Sequence, residues 1–231
     1  MESTALVIMA KHPTPGRVKT RLQPTYSPEQ SAAVQRIFLE HLVERFTTLR
    51  LGQIVVCYDP PETRDSFAGL LPATATHVLF LPQSAGDLGA RLALASRKLA
   101  DDFARIFFFG VDSPDVPDTH LHALITHLDS HPVVIAPTDD GGFWSIGHRR
   151  EIDLANVLTG IEWSSGREMA QVVEHLNRDA VPVAMAEAWT DVDRPDDLSA
   201  LLTRLNSSPA AHDGELLAKL LPVINGNGVL Q

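Results

Sequence analysis

Short apolar runs alternate with longer amphipathic stretches along most of this chain. The first run, Ala5-Leu6-Val7-Ile8-Met9-Ala10, contains no polar residue, and Ile54-Val55-Val56-Cys57-Tyr58 reads the same way. Runs of this length without alternation suit strands covered on both faces. The pattern predicts strands at 4–10, 53–58, 77–81, 104–109, 132–136 and 143–146, and another at 180–185 in which Pro182 points to a sheet edge. Between them lie helical signals. Ser27-Pro28-Glu29-Gln30 combines a capping box with proline at the first helical position. Ala33, Ile37, Leu42, Val43, Phe46 and Leu49 then recur at close to 3.6 residues, up to Gly52. A short helix is expected over 62–71. Gly86-Asp87-Leu88-Gly89 opens another with Leu92, Ala95 and Leu99 inward, and Pro117-Asp118 opens one reaching about Leu128. Further helices are expected over 151–158, from a capping box at Ser165-Gly166-Arg167-Glu168 to Leu176, and from Pro195 to about Leu205.

Strands and helices in alternation predict an α/β fold: a three-layer α/β/α arrangement around a mainly parallel sheet. Residues 1–205 read as one domain. Residues 206–231 read as a C-terminal tail, docked or mobile, with one amphipathic island at 215–221. In such sheets ligands bind beyond the carboxyl ends of the strands, and the polar clusters of this chain fall just after strands.

Charge sharpens that picture. The chain has 231 residues and a formal charge of −10, yet no acidic residue occurs between Glu2 and Glu29. The segment Lys11-His12-Pro13-Thr14-Pro15-Gly16-Arg17-Val18-Lys19-Thr20-Arg21 is therefore a positive island directly after the first strand. Such a loop suits phosphate: Gly16 permits close backbone approach, while Lys11, Lys19 and Arg21 supply charge, with Arg17 either joining them or facing water. It is neither a P-loop nor a Gly-x-Gly-x-x-Gly fingerprint. Asp112, following the run 104–109, reads either as a turn residue or as a ligand for a divalent cation beside a phosphate; Asp115 reads as a turn residue. Asp139-Asp140-Gly141-Gly142 carries a hairpin signal, though its paired acids and paired glycines exceed what a turn needs. Phe143 and Trp144 suit an aromatic wall or the core equally. Asp193 reads either as the N-cap of the last helix or, with Asp191, as a second carboxylate for the metal; Asp196 and Asp197 suit the helix's first turn.

Other classes fall away. Cys57 is the only cysteine, so disulfide frameworks and cysteine-based zinc sites are excluded, and Cys57 reads as core. The histidines show no metal-binding spacing, and Ser113 and Ser145 lie in no nucleophile elbow. Net negative charge disfavours nucleic acid. No apolar stretch reaches membrane-spanning length and no signal-peptide pattern opens the chain, so a cytoplasmic setting without membrane attachment is expected.

The basic opening, together with Gly86-Asp87-Leu88-Gly89-x-Arg91, Gly110-Val111-Asp112-Ser113-Pro114, Asp140-Gly141-Gly142-Phe143, Trp163-Ser164 and Asp191-Val192-Asp193, resembles the radical-SAM- and selenodomain-associated transferases. These are also labelled arsenosugar-biosynthesis glycosyltransferases and belong to the nucleotide-diphospho-sugar transferase superfamily. The resemblance spans roughly residues 5–205. It implies a GT-A-like fold, with Asp112 and Asp193 holding Mg²⁺ or Mn²⁺. The basic loop (Lys11, Gly16, Lys19, Thr20, Arg21) would cradle a di- or triphosphate, and Asp140, Gly141, Gly142 and Phe143 would line the acceptor or sugar side. Trp144-Ser145 and Ser164-Ser165-Gly166-Arg167 depart from the usual pattern at the acceptor side. The expected activity is a metal-dependent transfer from a nucleotide donor, with Lys19, Asp112 and Arg21 as catalytic residues. Nucleotidyl transfer from a nucleoside triphosphate to a small phosphorylated or hydroxyl acceptor is the leading form. Glycosyl transfer from a nucleotide sugar is the first alternative, and a non-catalytic nucleotide-binding or partner-docking protein is the second. Oligomeric state is not legible.

Overall fold

The computed structural model describes residues 3–73, 75 and 77–226. Seven strands form one sheet in the order β3-β2-β1-β4-β6-β5-β7. They are β1 (Thr4–Lys11), β2 (Gln53–Asp59), β3 (Leu79–Pro82), β4 (Arg105–Phe109), β5 (Val133–Pro137), β6 (Phe143–Arg149) and β7 (Val183–Met185). All neighbours are parallel except at β6, which runs antiparallel to both β4 and β5. β7 is an edge strand, as Pro182 implied, and is shorter than the run 180–185.

The unbroken apolar runs have a simple cause. Leu6, Ile8 and Ala10 of β1 enter one core, and Ala5 and Val7 enter a second core on the opposite face of the sheet. A strand covered on both sides has no position for a polar side chain. The first core is closed by α1 (Pro28–Leu49) and α4 (Asp118–His127), and the second by α3 (Leu88–Leu99), α5 (Leu154–Leu158) and α6 (Glu168–Arg178). The capping box at Ser27 and Gln30 forms as expected, but α1 stops at Leu49 because Arg50 turns into the left-handed region, before Gly52. α2 (Arg64–Leu70) packs through Phe67.

A third core adds a layer outside α1. Leu22 and the outer face of α1 (Val34, Ile37, Phe38) pack against α7 (Pro195–Ser207) and α8 (Ala211–Ile224). Gln30 Nε2 donates to the terminal carbonyls of α8 at Val223 (2.8 Å) and Ile224 (3.3 Å), and Lys219 pairs with Glu44 at 2.7 Å. The stretch after Asn206 is thus docked through Leu216, Leu220 and Val223; residues 227–231 of the expected tail lie outside the described residues. Among the described residues no helix is long and apolar enough to cross a membrane.

Because β6 runs against its neighbours, its first residues share a rim with the last residues of the parallel strands. That rim collects the loops after β1 and β4 and the β5–β6 turn.

Candidate functional site

The loop after β1 turns back on itself at Gly16 (φ 76°) and reaches Lys19, whose backbone is left-handed (φ 47°). A short 3₁₀ turn, Thr20–Leu22, then buries Leu22 in the third core. This anchor drives Lys19 inward: its side chain is 3% exposed. Nζ donates to Asp112 Oδ1 and to the Val192 carbonyl, stands 4.0 Å from Asp193 Oδ1, and lies 5.3 Å from the centre of the Phe38 ring. A buried ammonium demands such partners. Arg21 donates to Asp193 Oδ2 at 2.8 Å. A cavity of about 300 Å³ opens here, lined by Lys11, Arg17, Lys19, Thr20, Arg21, Gln35, Asp112 and Asp193. Arg17, which the sequence left between cavity and solvent, lines it; Gly16 shapes the loop without lining it.

Asp112 sits on a braced loop. Val192 N donates to the Asp112 carbonyl (2.8 Å), which stitches residues 191–193 to it. From behind, the Arg45 side chain of α1, 2% exposed, donates to the carbonyls of Pro114 (2.8 Å) and Val116 (2.5 Å) and pairs with Asp118 at 2.5 Å. Asp115 lies in a turn, as expected, and carries more than the turn. It is buried, accepts from Arg204 Nε (2.6 Å) and Nη2 (3.2 Å) and from Trp189 Nε1 (3.0 Å), and so ties the loop to α7. Asp193 does not cap α7 either. The Asp197 carboxylate accepts from the backbone N–H groups of Asp193 (3.1 Å) and Arg194 (2.7 Å), leaving the Asp193 carboxylate to Arg21 and the cavity.

A second cavity of about 420 Å³ lies beyond the wall formed by Arg21, Asp112 and Asp193. Asp140, Gly142, Phe143, Ser113, Trp163, Glu168 and Asp191 are among its lining residues. Asp140 does perform turn duty, since its Oδ1 accepts from Thr138 Oγ1 (2.6 Å) and Gly142 N (3.0 Å), and it also faces the cavity. Gly141 (φ 91°) passes so close to Gly166 that a Cβ would fall 2.0 Å from the Gly166 carbonyl oxygen. Only glycine fits there. Phe143 meets Trp163 edge-on at 6.3 Å. Trp144 is mainly core, with Nε1 donating to the Glu187 carbonyl at 3.1 Å. The carboxyl of Asp191 is pushed up to about 6, first by burial and then by the negative charges of Asp140, Asp193 and Asp112.

Lys11, Lys19, Thr20, Arg21, Asp112 and Asp193 therefore meet at one cavity, and Asp140, Gly142 and Phe143 meet at its neighbour. Arg45 and Arg204 carried no sequence signal that singled them out, while Trp163 entered only as a family landmark and Glu168 only as part of a capping box. Among the described residues no three His, Cys, Asp or Glu side chains group as a metal site. Two hard carboxylates on a cavity wall, beside a space for further oxygen donors, match what Mg²⁺ or Mn²⁺ takes when a phosphate completes its shell.

A family model described as "Uncharacterized protein conserved in bacteria (DUF2064)" matches residues 42–165. No curated protein matches the chain. Among solved structures, it is similar to a "putative nucleotide-diphospho-sugar transferase" from Desulfovibrio desulfuricans G20, with TM-score 0.83, 28% identity and coverage of 98% of this chain and 99% of that one. A cytidylyltransferase from Leptospira borgpetersenii aligns over 100% of both chains with TM-score 0.59 and 14% identity. Rv0371c from Mycobacterium tuberculosis H37Rv, in complex with manganese, aligns over 88% of this chain and 99% of that one with TM-score 0.50 and 18% identity. The fold is that of the nucleotide-diphospho-sugar transferases.

Proposed function

The chain belongs to the DUF2064 family, and on that premise we propose that it is a divalent-metal-dependent transferase acting on a nucleotide donor. One observation carries this reading. Lys19, Arg21, Asp112 and Asp193, drawn from three distant stretches of sequence, converge on one cavity at the rim of the sheet. The likeness to a "putative nucleotide-diphospho-sugar transferase" and a cytidylyltransferase, and to Rv0371c in complex with manganese, supports it.

In this reading the donor's phosphates enter the first cavity, where Lys11, Arg17, Lys19 and Arg21 offset their charge. Lys19 is preorganised, because its left-handed backbone and buried stem hold Nζ at the cavity floor before any ligand arrives. Asp112 and Asp193 would hold Mg²⁺ or Mn²⁺, which when bound orients and neutralises phosphate oxygens. The braced loop under Asp112 keeps that carboxylate in place as charge develops, so catalysis is chiefly positioning and electrostatics. The leading form is nucleotidyl transfer from a nucleoside triphosphate, for which four cations at one cavity are apt. Glycosyl transfer from a nucleotide sugar is the second reading, favoured by the aromatic-walled cavity next door.

The test is calorimetric titration of CTP, GTP, ATP, UTP and UDP-glucose with Mn²⁺ into the native protein, Lys19→Met and Asp112→Asn, followed by turnover of whichever donor binds. At least one nucleotide should bind the native protein. Lys19→Met should lower turnover by 10²–10³-fold, the ~3–4 kcal/mol typical of one preorganised donor. Unchanged nucleotide affinity and turnover in both variants would overturn the assignment.

A further inference from the structure

The two cavities differ sharply in charge. They share Arg21, Asp112 and Asp193. Away from that wall, the charged residues of the first are Lys11, Arg17 and Lys19, all cationic. Those of the second are Asp140, Glu168 and Asp191, all acidic. An anionic ligand is attracted to the first and repelled by the second, where it would add charge to carboxylates that already crowd one another.

The second cavity is more than an acidic patch. Phe143 and Trp163 form an apolar corner, edge to face at 6.3 Å, and Leu88, 40% exposed, continues it. Ser113 also lines it. That residue is 7% exposed, yet its hydroxyl has no hydrogen bond to any described residue. That hydroxyl still meets solvent, so its donor and its acceptor capacity are both open to a ligand or water. Carboxylate oxygens accept only, while the serine both donates and accepts. The surface as a whole asks for a ligand rich in O–H or N–H donors, with one apolar face to lie against the rings.

Resting on the donor reading of the first cavity, we propose that the second cavity binds an acceptor bearing hydroxyl or ammonium groups beside an apolar ring face and carrying no anionic group. The class is an uncharged or amino sugar-like polyol, not a phosphorylated one. The donor then brings all the phosphate of the ternary complex: the acceptor's hydroxyl or amine bonds to the donor's α-phosphorus as the bond to pyrophosphate breaks, pyrophosphate leaves, and the acceptor's proton passes to solvent. This narrows the acceptor relative to the sequence reading, which admitted a phosphorylated molecule.

The experiment uses the full chain saturated with Mn²⁺ and the nucleotide that binds best. Glucosamine, glucose and glucose 6-phosphate are titrated separately, with tryptophan fluorescence as the readout because Trp163 lines the cavity. Glucosamine should bind most tightly, and glucose 6-phosphate at least tenfold more weakly than glucose. Asp140→Asn should narrow the gap between glucose and glucose 6-phosphate roughly five- to tenfold at low salt. Should that variant fold poorly, the native protein still decides: rising salt should weaken glucosamine and leave glucose unchanged. Glucose 6-phosphate binding as well as glucose, or no response to any of the three while nucleotide binds normally, would overturn the inference. Failure of every nucleotide to bind would instead remove the donor reading, and this inference with it.

Discussion

Replacing Arg45 by methionine probes the brace beneath Asp112 without touching the cavity. Methionine has similar length and suits a buried helix face. The guanidinium now serves the carbonyls of Pro114 and Val116 and pairs with Asp118, whose side chain is 40% exposed. Each carbonyl left buried without a donor costs about 1–3 kcal/mol, and the half-exposed pair adds about 0–1 kcal/mol. Against this stands a gain, because Arg45 Nε is itself buried without a partner and a desolvated charge disappears. The balance is a loss of about 3 kcal/mol. For a chain of this size that lowers the melting temperature by roughly 6–12 °C. Differential scanning calorimetry of Arg45→Met beside Asp118→Asn separates the contributions, since the latter removes only the exposed pair and should cost under about 1 kcal/mol. The donor's KM should rise in Arg45→Met, because the loop holding Asp112 loses its support. A melting temperature within about 2 °C of the parent, or equal losses in both variants, would show that the two carbonyls do not depend on Arg45.

Three further expectations follow from the same structure. Gly141→Ala should destabilise by about 3 kcal/mol and weaken acceptor binding, because φ 91° and the Gly166 carbonyl both oppose a Cβ; denaturant melts that coincide with the parent would contradict it. His41 and His148 are held neutral, at about 3 and about 4, chiefly by burial, with the electrostatic influence of Arg45, then of His212 and Lys219, adding to the effect at His41. Their folded-state values lie below the unfolded value near 6.5, so the stability they favour is complete above pH 6.5 and falls as acid protonates the unfolded chain. Each should cost on the order of 2 kcal/mol by pH 5, and a flat melting profile from pH 7 to 5 would refute this. The Cys57 thiol is pushed up to about 12, first by burial, so a thiol-modifying reagent at pH 7.5 should label it only on unfolding; stoichiometric labelling of the native protein would count against a buried position.

What the chain reveals on reading depends on how local the signal is. β1 and its loop were legible because six apolar residues followed by four cations is a local pattern, and the strand-end rule then places it. The Asp112 loop was legible for the same reason. Arg45 was not: a charged residue in a helix reads as solvent-facing, and α1 is buried on two sides only because α7 and α8 cover its outer face. Asp115 does lie in a turn, but its buried bonds were not legible because its partners, Arg204 and Trp189, lie more than seventy residues away. The two readings of Asp193 could not be separated without knowing that Asp197 would take the capping bonds. The antiparallel insertion of β6 was foreshadowed by the Asp-Gly hairpin signal, but its place between β4 and β5 is a property of the sheet.

Lys19 holds a backbone conformation that costs a non-glycine residue on the order of 1 kcal/mol. On backbone grounds glycine or asparagine is the better occupant of that position. Any gain from glycine or asparagine there is set against the Asp112 ion pair and the Val192 carbonyl bond that would be left unmade. A library meant to harden this protein should leave codon 19 untouched, and any thermostable isolate altered there should be checked for lost turnover before it is kept.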